Sequence, residues 1–131
     1  SGIDLSRADL SQANLVDTDL TRANLSAAKL YSGDLQRAYL VEAELRGADL
    51  RSANLRGAIL SRANLTFSDL TGADLSSNLL LITYLNKANL SEANLTDANL
   101  FKTDLSSTIL IKTIFCRTKM PDGIVNNKSC E

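Results

Sequence analysis

The chain has 131 residues, 44% of them hydrophobic, with 14 Lys and Arg against 15 Asp and Glu for a net charge of −1. That length and apolar content suit one folded domain rather than a disordered chain, and the near-neutral balance supplies no electrostatic drive toward nucleic acid or an anionic membrane. No run approaches the ~18 consecutive apolar residues of a membrane span, and no charged-then-apolar leader opens the chain.

From Leu5 to Leu110 every fifth residue is Leu, twenty-two in succession, and Phe115 and Met120 continue the register. Two positions before each Leu the residue is nearly always small, Ala at fourteen positions from Ala8 to Ala98, and between the two stands most often Asp or Asn, as in Ala8-Asp9-Leu10 and Ala93-Asn94-Leu95. A helix turns about 100° per residue, so a step of five would scatter the leucines around all its sides. A flat strand alternates with period two, so the same step would throw successive leucines onto opposite faces. The remaining solution resets the alternation in each repeat: small residue in, Asp or Asn out, Leu in, then two residues turning a corner. Each pentapeptide becomes one short side of a coil, and coils stacked at ~4.8 Å satisfy one another's backbone.

Departures from the pattern follow in chain order. Gly47, Gly57 and Gly72 occupy the second corner position, where a type II turn asks for positive φ; other residues stand at most corners, and turns of another kind are expected there. Arg46, Arg51 and Arg56, with Arg37 and Arg62 nearby, form a basic belt expected to pair with Glu42, Glu44 and Asp49. Asn78 fills an inward slot before Leu79-Leu80-Leu81-Ile82, where its amide is expected to reach backbone groups. Thr103, Thr108, Thr113 and Thr118 fill four successive inward slots, a closing ring of hydroxyls. Beyond them, Cys116 and Cys130 bracket a tail with a Met120-Pro121-Asp122-Gly123 turn. The tail is expected to cap the open sheet edge, pinned by a Cys116–Cys130 disulfide; two free thiols are the alternative. The organisation expected is therefore a β-helix over 3–115 and a cap over 116–131.

The A(D/N)LxX pattern, as in Ala48-Asp49-Leu50-Arg51-Ser52, resembles the pentapeptide-repeat family over about Ile3 to Met120. The resemblance implies an all-β fold, a right-handed quadrilateral β-helix with four repeats per coil and between five and six coils in all. The Cys-bearing tail resembles members from cyanobacteria and the thylakoid lumen. It implies an extracytoplasmic site, periplasm or thylakoid lumen, if the disulfide forms, and a cytoplasmic one otherwise.

Catalytic chemistry finds no carrier in this sequence. It has no His, the usual general base and commonest metal ligand, two Cys make no zinc site, and the carboxylates follow the repeat. Asp9, Asp49 and Asp69 fall in one column and Asp34 and Asp74 in another, with Asn and Lys29 interspersed, which reads as outward ladder positions. No catalytic, cofactor-binding or metal residue is assigned, and no cofactor is expected.

Twenty residues per coil make positions twenty apart vertical neighbours, so surface columns can be read from the sequence. Three faces read as polar. The fourth, over Leu20, Leu40, Leu60, Leu80 and Leu100, carries Tyr39, Ile59 and Leu79 before the Leu and Val41, Leu81 and Phe101 after it, with Ile82 and Tyr84 adjoining. A contiguous outward apolar patch commonly marks an interface. The expected function is a non-catalytic protein-interaction or structural module that presents this patch to an unidentified protein or to a second copy, with no nucleic-acid partner and no membrane insertion. The resemblance also implies an alternative, since some family members are acidic, DNA-mimicking rods that bind and protect DNA gyrase; the 15-to-14 charge balance and the arginine belt argue against it.

Overall fold

The computed structural model describes residues 2–130. Its backbone is a continuous stack of parallel bridges between residues twenty apart, from Asp4 with Asn24 to Asn99 with Lys119. Four such columns, beginning at Asp4, Asp9, Asn14 and Asp19, define four sides, and the chain is a right-handed quadrilateral β-helix.

One repeat in the middle shows how every N–H is used. Leu50 donates to the Asp69 carbonyl at 2.7 Å and Ser52 to the Thr71 carbonyl at 2.9 Å, both in the following coil, while Asn54 donates back to Gly33 at 2.9 Å. Ala53 closes the corner on the Leu50 carbonyl at 3.0 Å. The fifth N–H, that of Arg51, is taken by Asp49 Oδ1 at 3.2 Å. This last bond explains the preference for Asp or Asn before Leu: its side chain caps the one corner N–H that the inter-coil ladders leave over, as Asn14 does for Val16 and Asn94 for Thr96.

The corners correct one expectation. Left-handed φ is not confined to Gly47, Gly57 and Gly72, at 69 to 71°; the second corner residue has it in every repeat from Arg7 to Arg117 except at Ser107, including Phe67 at 62° and the β-branched Ile82 at 55°. The i to i+3 bond of each corner and the stacking above and below impose the same backbone on all of them, which outweighs the local cost to a side chain. At Ser107 the Lys87 N–H is met by the Ser107 hydroxyl, at 3.2 Å, instead of a carbonyl.

The core is a column of leucines on each side, Leu25 to Leu100 almost wholly buried, with small residues between them. Most polar residues in inward slots follow one rule, Ser68 excepted, whose hydroxyl donates to the Leu65 carbonyl of its own corner at 2.6 Å. The carbonyl of each Leu accepts the corner N–H three residues on, and a side chain twenty-three residues on, stacked directly above that corner, reaches its second lone pair. Thr83 thus donates to the Leu60 carbonyl at 2.8 Å, Thr108 to Leu85 at 3.0 Å, Thr113 to Leu90 at 2.7 Å and Thr118 to Leu95 at 2.7 Å, and Thr103 bonds to Leu80 likewise. Asn78 obeys it only in part. Its Nδ2 donates to the Leu55 carbonyl at 2.6 Å, but its buried Oδ1 has no partner among the described residues. Nearby bonds are long, 3.4 Å from both Ile82 and Thr83 N–H.

At the C-terminal end, β1 (Thr118–Lys119) pairs antiparallel with β2 (Val125–Asn126). Cys116 and Cys130 form a disulfide, with Cα atoms 4.8 Å apart. Ser129 N–H donates to the Phe115 carbonyl at 2.8 Å and Phe115 N–H to the Ser129 hydroxyl at 3.1 Å, while Asn127 Oδ1 receives the Arg117 N–H at 2.9 Å. These contacts hold the tail over the sides of Phe115 and Met120. On the other two sides Leu105 and Leu110 remain half-buried.

Candidate interaction surface

On the fourth side, bridges link Asp19 to Tyr39, Tyr39 to Ile59, Ile59 to Leu79, Leu79 to Asn99 and Asn99 to Lys119, a single vertical column with three apolar rungs at its centre. Tyr39 and Leu79 are 48% and 36% exposed, and Ile59 between them is half-buried. The adjoining corner stacks Val41, Ser61, Leu81 and Phe101: Arg62 and Ile82 donate to the Leu81 and Phe101 carbonyls, respectively. The six residues Tyr39, Val41, Ile59, Leu79, Leu81 and Phe101 therefore lie in two neighbouring columns of one rigid face.

Apolar side chains here have a second effect. Where Tyr39, Ile59 and Leu79 replace Asp or Asn, the corner N–H groups of Val41, Ser61 and Leu81 find no side-chain acceptor among the described residues, whereas Asp19 and Asn99 at the two ends cap Thr21 and Phe101 at 3.0 Å. Phe101 is already partly engaged. Its ring lies against Gly123 in the tail, where a Cβ would come within 3.5 Å of Cε1, and the ammonium groups of Lys119 and Lys102 stand 5.1 and 5.5 Å from its centroid.

The arginines distribute differently from the expected belt. Arg51 does pair with Asp49, at 2.7 Å. Arg37, however, reaches down one coil to Asp17 at 2.8 Å, Arg46 lies over the Phe67 ring at 4.8 Å, Arg56 bonds to Ser76 at 3.2 Å, and Glu42 is met by Arg22 at 3.8 Å. Glu44 accepts from Asn64 instead of from an arginine. Vertical neighbours are ~4.8 Å apart, closer than most neighbours around a corner, so long side chains pair along columns. Arg117 with Asp97, at 2.7 Å, repeats the arrangement near the other end. The guanidinium hydrogen bonds hold the carboxyls of Asp17, Asp49 and Asp97 below their ordinary value, and the Thr21 hydroxyl and N–H do so for Asp19.

A second apolar cluster escaped the column reading. Ile109, Ile111 and Ile114 in the last coil and Ile124 and Val125 in the tail are exposed, Ile111 to 64% and Ile124 to 67%. They correct the expectation of three wholly polar faces, since Ile109 and Ile114 occupy the outward column positions of two of those faces. The signal was present as two Ile in columns otherwise held by Asp and Asn, with Lys29 the one other exception. A shallow groove beside them is lined by Met120, Pro121, Ile124, Val125 and Asn127. Among the described residues no group of three or more His, Cys, Asp or Glu is placed to hold a metal ion, and no helix is long and apolar enough to cross a membrane.

The family profile for pentapeptide repeats matches residues 3–40, 38–76 and 83–120, in eight copies. No curated protein matches. Among solved structures, a pentapeptide repeat protein from the Arabidopsis thaliana thylakoid lumen is 32% identical over 84% of this chain and 70% of its own, with a TM-score of 0.55. A pentapeptide repeat protein from Nostoc PCC 7120 is 37% identical over 81% of this chain and 73% of its own, with a TM-score of 0.42. A trypsin-treated form of QnrB1, a plasmid-mediated fluoroquinolone resistance protein, is 18% identical over 96% of this chain and 77% of its own, with a TM-score of 0.44.

Proposed function

Because the chain belongs to the pentapeptide-repeat family, we propose that it is a non-catalytic protein-interaction module that binds through its fourth face. In this reading residues 3–115 are the rigid rod, 116–131 its C-terminal cap, and Tyr39, Val41, Ile59, Leu79, Leu81 and Phe101 the contact surface. One observation carries it: the Tyr39–Ile59–Leu79 column is apolar, unbroken and partly exposed on a scaffold whose other outward columns are mainly Asp and Asn. Such area gains nothing in water unless something covers it. The Cys116–Cys130 disulfide and the similarity to a thylakoid-lumen protein support an oxidising, extracytoplasmic compartment, periplasm or lumen.

The test replaces Ile59, Leu79 and Leu81 together by Ser, Gln and Gln. Binding to proteins of the native compartment, or self-association, should disappear while the β-rich circular dichroism and cooperative melt persist. Binding unchanged in a folded triple variant would remove this face from consideration. A gyrase-protecting DNA mimic finds less support, since its surface must be strongly acidic and this chain carries a net charge of −1; inhibition of supercoiling at low protein concentration would reverse that order.

A further inference from the structure

The fourth face, together with its two bordering corners, has a charge order that reads as its own complement when inverted. Along the central column the residues run Asp19, Tyr39, Ile59, Leu79, Asn99, Lys119. Along one border the second corner positions run Asp17, Arg37, Gly57, Ser77, Asp97, Arg117, and along the other Arg22, Glu42, Arg62, Ile82, Lys102, with Asp122 of the tail turn continuing the column. Inverting each column about the gap between its third and fourth rungs sets Asp19 opposite Lys119, Asp17 opposite Arg117, Arg37 opposite Asp97, Arg22 opposite Asp122 and Glu42 opposite Lys102. All five charge-to-charge pairs are of opposite sign, and of the charged residues in the three columns only Arg62 falls opposite an uncharged one, Ile82. At the centre the same inversion sets Ile59 opposite Leu79, and Gly57 opposite Ser77 leaves room for close approach.

We propose, resting on the assignment of this face as the contact surface, that its occupant is a second copy of the chain lying antiparallel across it. The two-fold axis lies in the interface, perpendicular to the rods, between the Ile59 and Leu79 rungs. That operation keeps each column facing itself and reverses its direction, as an isologous interface requires. The pitch is matched without adjustment, because both rods have the same rung spacing of ~4.8 Å. The in-chain pairs Arg37–Asp17 and Arg117–Asp97 then join across the interface into two alternating four-charge clusters, and Tyr39 meets Asn99 of the second copy.

The central column selects this orientation over the other symmetric one. With the rods parallel, the two borders face each other and their charges still alternate, but Asp19 meets Asp19 and Lys119 meets Lys119 in the middle of the face. Like charges placed opposite each other disfavour association and fix register. Six rungs span only ~24 Å, so the contact belongs with the small, transient interfaces of less than ~1,200 Å². It is expected at protein concentrations on the order of tens to hundreds of micromolar, and it should weaken with salt.

The experiment is sedimentation velocity from ~5 to ~500 µM, a span centred on that range, on wild type, Lys119→Glu, and the double change Asp19→Lys with Lys119→Glu. Both residues are outward, and melting curves on the same samples establish that each variant is folded. The antiparallel dimer predicts self-association of wild type, weakening by about tenfold or more in Lys119→Glu as two opposite-charge pairs become like-charge pairs, and recovery to within a few-fold of wild type in the double variant. Lys119→Glu without effect would overturn the antiparallel arrangement, since parallel rods only exchange Lys against Lys for Glu against Glu. Weakening without recovery would place the contact elsewhere. A monomer throughout, with the Ile59, Leu79, Leu81 triple variant still abolishing capture of a different protein, would overturn self-association and leave the interaction face standing.

Discussion

Thr113 Oγ1 lies 2.7 Å from the carbonyl oxygen of Leu90, twenty-three residues earlier, and Asn78 stands in the same relation to Leu55 with an amide in place of the hydroxyl. The hydroxyl is fully used there; the amide leaves Oδ1 buried without a partner. Asn78→Thr keeps the side-chain volume, supplies the bond that Thr83 already makes to Leu60, and removes the orphan acceptor. It is expected to raise stability by about 1–3 kcal/mol, read as a higher denaturation midpoint in urea. A lower midpoint would show that the amide orders the Leu79–Ile82 stretch in a way the hydroxyl cannot.

Leu55 is wholly buried and Asn54 beside it points outward, its Oδ1 receiving the Arg56 N–H at 3.1 Å. Leu55→Ala opens a cavity in a stack that cannot collapse, at a cost of about 2–5 kcal/mol. Asn54→Ala forfeits one exposed cap, at a cost of about 1 kcal/mol or less. Equal losses in chemical denaturation would contradict the inward and outward assignment of the repeat.

The disulfide closes a loop of sequence separation 14, which stabilises by about 3 kcal/mol through the unfolded chain. Cys130→Ser should therefore lower the melting temperature while the circular dichroism of the repeats stays unchanged at 25 °C, because only the last inter-coil bonds, from Asp97, Leu100 and Lys102 to Cys116, Lys119 and Pro121, reach the tail, and every earlier coil is closed without it. Intact mass with and without reductant should differ by two hydrogens in the native protein and not in the variant. Loss of the β signal at room temperature would make the tail essential to the rod.

Acid should loosen the rod from its corners. Hydrogen bonds from the Ser6 N–H, the Ser11 hydroxyl, the Thr21 hydroxyl and the Ser106 N–H hold the carboxyls of Asp4, Asp9, Asp19 and Asp104 below their ordinary value. A carboxyl lowered in the folded state stabilises it above the unfolded value, near pH ~3.9, and that contribution is lost as pH falls through the folded values. Melting temperatures should be level from about pH 5 to 8 and decline below about pH 4. Changing these four Asp to Asn, which caps without titrating, should flatten the decline. A decline of the same depth in the Asn variant would assign it to other groups.

A period of five with Leu at its head excludes helix and flat strand by itself, and that is why inward and outward positions, the leucine core and the vertical neighbours Tyr39, Ile59 and Leu79 could be read without coordinates. Those features depend only on which side of the backbone each residue faces. The positive φ at Arg7, Phe67 and Ile82 could not be read so, because local preference disfavours it and only coil closure and stacking enforce it. Nor could the partners of Arg37 and Glu42, since a flexible side chain chooses among several charges within reach and the ~4.8 Å rung spacing decides for the vertical one. The exposed Ile111 and Ile124 and the half-covered Leu105 and Leu110 depend on where the tail lies. The disulfide and the Ser129 and Asn127 hydrogen bonds tie residues 127–130 back to Phe115, Cys116 and Arg117 and determine that position, and the period of five does not extend to the tail partners.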